Sequence, residues 1–462
     1  MLLDVTRRRM PEAISRSPIT VLLRRGAGSA GRAGWGIADQ GISSITNFLV
    51  VLVVARSVGA VGFGAFSLAY VAYGFALNVS RGLGSYPLQV RFSDADMPAW
   101  RRAVASSSGT ALVTGVATGI CVLAAAALIR GETGAALLGL GLTLPGLLLQ
   151  DSWRYAFFVL GRGSRAFIND SVWAVAQIPA ILWLHVSHER GVFWFVLVWG
   201  GAATVAALVG PIQARVLPSL LGSRRWLLRH RDLSIRFTAS SLITSAAPQV
   251  RSLLLAGLLG LAVVGYVQAV STLMGPFLVI FYGVGLVTVP EGVRILHRSP
   301  HRLPLFSLLL SCGLALAALA WGGLLLLALP RGLGNLTLGP IWRPTYILVL
   351  PQTIAIASMC FSAGAVTGLN ALGAAQRNLR ASIIGSVGYF IAGVIGPIAG
   401  GALGTMIAGA ISGWIGAFIF WRELRGAMKE YNTLVPGVPV GLGDHGQKSA
   451  ELGQFLHEDY FG

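Results

Sequence analysis

Apolar runs of 18 or more residues recur along the whole of this 462-residue chain, separated by short connections whose charges are mostly arginine. Coiled at 1.5 Å per residue, such a run matches the hydrocarbon thickness of a bilayer. In lipid each backbone N–H and C=O must be bonded within its own segment, so these runs are predicted to be helices. About twelve spans are predicted, at 35–57, 63–83, 103–129, 134–160, 167–187, 191–214, 237–258, 261–289, 303–329, 344–371, 379–399 and 401–421. Only 11% of residues are charged and the mean hydropathy is +0.72, against about 25% charged for soluble proteins.

The net charge of +18 raises nucleic acid as a partner, but the basic residues sit between apolar runs and not along one soluble face, so they report topology. Of 35 Lys and Arg residues, 29 fall on the side of the N-terminal arm and tail and 5 in the alternate connections, with Arg251 left inside a span. That bias predicts a multi-pass membrane protein with both termini cytoplasmic. The expected organisation is a cytosolic arm at 1–34, helices 1–6 at 35–214, a cytosolic connection at 215–236, helices 7–12 at 237–425 and a cytosolic tail at 426–462. A shift of 201 residues pairs Gly59 with Gly260, Gly64 with Gly265, Gly74 with Gly275, Gly82 with Gly283 and Gly84 with Gly285. Six spans in each half make the halves parallel repeats, with a site expected where they meet.

The first span carries Asp39, Gln40, Ser43, Ser44 and Asn47 along one helical face. An acid at the bilayer centre costs about 2.5–3.5 kcal/mol on insertion scales, so this face should meet protein or water. No GxxxxGK[ST], HExxH, GxSxG or paired-cysteine spacing occurs, so no P-loop ATPase, metal centre or cofactor is expected. His185, His188 and Glu189 read as a solvated outer loop, and Cys121, Cys312 and Cys360 offer no disulfide framework.

The run from Asp39 through Asn47 and Phe48, with Ala55-Arg56-Ser57-Val58-Gly59 and Phe63-Gly64-Ala65-Phe66, resembles the opening of bacterial polysaccharide or O-antigen flippases. These belong to the multidrug/oligosaccharidyl-lipid/polysaccharide exporter superfamily. The stretch around Arg251, Gly260, Gly265 and Gly275-Pro276 resembles the start of that family's second lobe, and Leu338-Gly339-Pro340-Ile341-Trp342 its lead into the tenth span. The resemblance implies an all-α fold of two six-helix lobes around a central cavity. It implies cargo of oligosaccharide linked by diphosphate to a polyprenol, moved from inner to outer leaflet without enzymatic chemistry. Its partners would be the bilayer, that glycan lipid, and a glycan polymerase or glycosyltransferases. The helices beyond the twelfth that lipid II flippases use as a lipid groove have no counterpart, and no residue-by-residue match to the cation site of the drug antiporters is found.

A diphosphate asks for cations, and arginine offers it a planar fork. Arg251 is a candidate for cargo contact, or else snorkels or pairs with an acid. Arg81 and Arg154 are candidates on the cytosolic side, with interfacial anchoring the plainer role and an Asp151–Arg154 intrahelical pair expected. Asp39 lines the vestibule, pairs with an arginine, favours the helix dipole or carries a coupling proton or Na⁺. Gln40 and Asn47 serve sugar hydroxyls or helix contacts. Ser43 and Asn47 are expected to share one aqueous cavity with the stripe containing Ser245, leaving the polyprenyl tail in lipid between the lobes. Trp35, Trp100, Trp153, Trp342 and Trp421 are expected in the aromatic belt. The rival readings are an ion-coupled drug exporter of the same fold, a membrane glycan polymerase or ligase, which should show a large outer loop, and a non-transporting scaffold.

Overall fold

The computed structural model describes residues 18–93 and 95–434; the expectations for residues 1–17 and 435–462 lie outside them. The described residues are helical throughout, with no strand among them. In order they form α1 (Pro18–Ser80), a π-helical turn (Arg81–Ser85), α2 (Tyr86–Phe92), α3 (Met97–Leu128), α4 (Gly131–Val159), α5 (Gly163–Val186), α6 (Val192–Ala214) and α7 (Leu220–Arg229). The second half gives α8 (Arg231–Leu259), α9 (Leu261–Leu273), α10 (Gly275–Arg298), α11 (Leu303–Ala328), α12 (Gly334–Leu338), α13 (Trp342–Ala371) and α14 (Ala375–Leu434).

Seven helical runs among the described residues are long and apolar enough to cross a bilayer. Three of them hold 55, 72 and 58 residues, far beyond the roughly 20 that one crossing needs. Those three are interrupted: α1 at Gly59 (φ 69°), the run between α11 and α13 at Gly332 (φ 108°), and α14 at Gly401 (φ 58°). A broken pair, α9 with the first turns of α10, bends by 50°. The connection predicted between the spans at 35–57 and 63–83 is therefore a single residue wide. Gly59 alone leaves helical geometry, and the helix resumes at once. A positive φ costs glycine nothing and strains any residue with a Cβ, which fixes the break at that position.

The 201-residue repeat has a structural counterpart. Gly260, the partner of Gly59, separates α8 from α9 with φ 86°. Gly131 (φ 77°) and Gly332 also stand 201 residues apart and open the corresponding turns. At the seam between the halves, a Cβ on Gly64 would lie 1.8 Å from the carbonyl oxygen of Leu261, and one on Gly265 would lie 2.7 Å from that of Ala60. Leu261 is itself the repeat partner of Ala60. Each half thus presents the same glycine to the same carbonyl of the other, the self-complementary contact of a two-fold axis. Around this seam Phe63, Phe66 and Ala69 pack into one buried cluster with Val264, Val267 and Val270. Lipid is as apolar as these side chains, so the association draws on close backbone approach and dispersion instead of water release. Gly64→Leu is expected to separate the halves and to abolish a monodisperse species on size exclusion. Gly41→Ala, whose Cβ would meet nothing within 4 Å, should leave the profile unchanged.

The connection between the halves is tied to the first. Arg91 on α2 donates to His230 Nδ1 at 2.6 Å and pairs with Asp232 at 2.6 Å. Trp226 Nε1 and Ser234 Oγ both donate to the Leu83 carbonyl in the π-helical turn, at 3.0 and 3.1 Å. Burial, then the Arg91 and Arg229 charges, hold the His230 pKa below 6.5. The folded state therefore keeps His230 neutral where the unfolded chain takes a proton. Stability from this residue is present above about pH 6.5 and is lost as pH falls from there toward the lowered folded value. Thermal melts at pH 7.5 and 5.5 should show that loss, and His230→Gln should reduce it.

Candidate functional site

Part of the polar face of α1 completes an ion network inside the first half, through Asp39 and Ser43, while Gln40 stays exposed. Asp39 and Ser43 stand one turn apart on α1, Gln150 and Arg154 one turn apart on α4, and Asn169 and Asp170 adjoin on α5. Arg154 Nε donates to Asp39 Oδ2 at 2.6 Å, and its guanidinium lies 3.5 Å from Asp170 and 3.4 Å from the side-chain oxygen of Gln40. Ser43 Oγ donates to Asp170 Oδ2. Gln150 Nε2 donates to Asp170 Oδ1 at 2.7 Å, and Asn169 Nδ2 to the Ala206 carbonyl at 2.9 Å and Gln213 at 3.0 Å. Beside this lies a second pair, in which Arg81 grips Asp151 through two nitrogens at 2.9 and 2.6 Å and stacks over Tyr155. Asp39, Asp151 and Asp170 are all buried. Three carboxylates face two guanidinium groups, and Asp39 Oδ1 has no hydrogen-bond partner among the described residues.

This geometry corrects several expectations. Asp151 does not pair with Arg154 within α4: the two point to different partners, Arg81 and Asp39. Arg81 and Arg154 are each committed to a buried acid on another helix. Trp100 and Trp153 are fully buried and so are not belt residues; Trp100 Nε1 donates to the Ala156 carbonyl at 3.3 Å. Asn47 takes no part in the network and is half-buried. Ser245 sits in α8, with its side chain outside the described residues. In the connection after α5, Glu189 accepts the N–H groups of Arg190 and Gly191, and at the end of α5 His185 Nδ1 lies 2.8 Å from Ser57 Oγ.

Arg251 stands apart from all of this. It lines a cavity of about 650 Å³ enclosed by α8, α10, α11, α13 and α14, within the range of about 300–1,000 Å³ typical of ligand sites. Its guanidinium lies 5.1 Å from the centre of the Tyr389 ring, a cation–π arrangement that orients it without neutralising it. Gly393 and Gly409 leave room for its stem. Its Nε is buried with no hydrogen-bond partner, and no acidic side chain lines the cavity among the described residues. A guanidinium that lines a cavity and has no acid beside it among the described residues is suited to an anion, above all one with the paired oxygens of a phosphate. Sequence reasoning found Arg251 from its isolation but missed Tyr389 and Gln352, which share the cavity, and Gln150, Asn169 and Asp170, which complete the network. The last three carried a usable signal, polar residues at helical spacing in spans four and five.

Long apolar helices in two pseudo-symmetric halves, with charges buried between helices, define a multi-pass membrane protein. No protein-family model and no curated protein matches the sequence. Solved structures do match the fold. A multidrug resistance MATE family transporter of the MOP superfamily in an inward-facing conformation superposes with a TM-score of 0.68 at 15% identity, covering 86% of this chain and 99% of that one. The lipid II flippase MurJ in an inward closed conformation gives 0.62 at 12% identity over 93% and 99% of the two chains. A MOP superfamily transporter from Pyrococcus furiosus gives 0.56 at 14% identity over 85% and 93%. The chain has the fold of these transporters; residue roles do not transfer at such identities.

Proposed function

We propose that the protein is a flippase, not an enzyme, that carries a polyprenyl-diphosphate-linked oligosaccharide from the inner to the outer leaflet without ATP hydrolysis. The observation that supports this most is Arg251, a half-buried cation with no acid beside it among the described residues, facing a cavity of ligand size. An anionic headgroup would complete it. An exporter of cationic drugs needs the reverse, a carboxylate in its cavity. Here the acids of the first half are held against arginines instead. The short described connections leave no room for the outer catalytic loop of a glycan polymerase. The carboxylate left in excess at Asp39 and Asp170 is our candidate for taking up a proton or cation that gives the cycle direction.

In this reading the breaks at Gly59, Gly332 and Gly401, the bent α9–α10 pair and α8 bring the crossings to twelve. Both termini and α7 then lie in the cytosol. A cysteine placed at Leu336 should react with an impermeant reagent added outside, and one at Arg225 should be spared; the opposite pattern overturns the topology. The functional test is reconstitution in ATP-free liposomes. Fluorescent polyprenyl-diphosphate oligosaccharide should cross faster than in protein-free vesicles. Export of a cationic dye with no effect on the lipid would establish the drug-exporter reading instead.

A further inference from the structure

Resting on that reading, we propose that the cavity in the second half receives the apolar chain of the cargo next to its phosphate, and not its sugars. The anionic group would sit on Arg251, with the first units of the hydrocarbon chain inside the wall of helices. This departs from the expectation that the tail stays in lipid between the lobes.

The wall chemistry carries the argument. Phe281, Leu310, Leu314, Ile356, Met359 and Met406 make up much of the lining. Methionine adapts to irregular apolar shapes, as a flexible hydrocarbon chain requires. Of the three serines that line the cavity, Ser358 and Ser362 have already spent their hydrogens. Ser358 donates to the Ala355 carbonyl at 2.7 Å and Ser362 to that of Ser358 at 2.8 Å, each within its own helix. Thr367 turns to Thr288 at 3.4 Å. An oligosaccharide entering here would leave hydroxyls unmatched, at about 1–3 kcal/mol for each buried unsatisfied group. A hydrocarbon chain incurs no such cost. One cation, no acid among the described lining residues and a mostly apolar wall together describe a pocket for an amphiphile with a single phosphate-type group.

The test uses the full-length chain in lipid nanodiscs and two probes, geranylgeranyl diphosphate and inorganic diphosphate. Ala363 lines the cavity, and Ala363→Phe would fill part of it without touching Arg251. This variant should weaken binding of the prenyl probe at least tenfold and leave inorganic diphosphate within twofold. Arg251→Ala should weaken both. Met359→Trp provides a second filled cavity should Ala363→Phe fail to assemble. A photoreactive prenyl diphosphate on the unaltered protein should label α13. Prenyl binding indifferent to both filling variants, or labelling confined to α1, overturns this proposal while the flippase reading stands. Binding of both probes indifferent to Arg251→Ala overturns the anionic-cargo reading itself.

Discussion

Arg154→Met is expected to destabilise the protein more than any other single change at the ion network. Arg154 is the shared partner of Asp39 and Asp170, both almost wholly shielded from solvent. Its removal leaves two carboxylates facing each other with one hydroxyl and one amide to satisfy Asp170 and nothing for Asp39. Breaking a buried pair by deleting one member costs about 3–5 kcal/mol, because the desolvation of the other is no longer offset. Total stabilities are about 5–15 kcal/mol, so a large share of the whole is lost and the melting temperature should fall sharply. Arg154→Met combined with Asp39→Asn and Asp170→Asn removes the stranded charges as well and should recover much of the loss. Thermal melting of the single and triple variants decides the matter. A single variant as stable as the parent would mean that the network contributes nothing to folding.

Arg251→Ala should behave in the opposite way. This guanidinium has no ion pair to lose among the described residues, so protein level and melting temperature should hold. Transport should fall steeply. Hydrogen bonds to charged groups contribute about 1.5–3 kcal/mol, which corresponds to roughly 10- to 150-fold in cargo affinity. Arg251→Lys keeps the charge but replaces a planar fork by a point donor and should recover only part. Quantitative binding and flipping on variants matched for abundance check this. A loss of activity that tracks a loss of protein would make Arg251 structural.

The two arginines show where sequence reading reaches its limit. The spans, the arginine asymmetry and the glycine repeat are local or periodic features. They carried the helical fold and the paired breaks at Gly59 and Gly260 into view. What joins Arg154 to Asp39 is a contact across 115 positions, and Arg81 meets Asp151 across 70. Spacing along α4 suggested the nearest partner, three residues away, but packing chose others. Trp100 and Trp153 lie near span ends, as belt residues do, yet helix rotation turns them inward. The cavity was hidden for a related reason. Apart from Arg251 on α8, its wall is assembled from four helices that contribute mostly small or apolar residues, few of them unusual in their own spans.

The most direct measurement is leaflet-to-leaflet movement of a fluorescent polyprenyl-diphosphate oligosaccharide in ATP-free proteoliposomes, comparing the parent with Arg251→Ala at equal protein density. We expect the parent to move the lipid and the variant to fall at least tenfold while both remain folded. Equal rates in the two would contradict a cavity built around Arg251 for an anionic cargo.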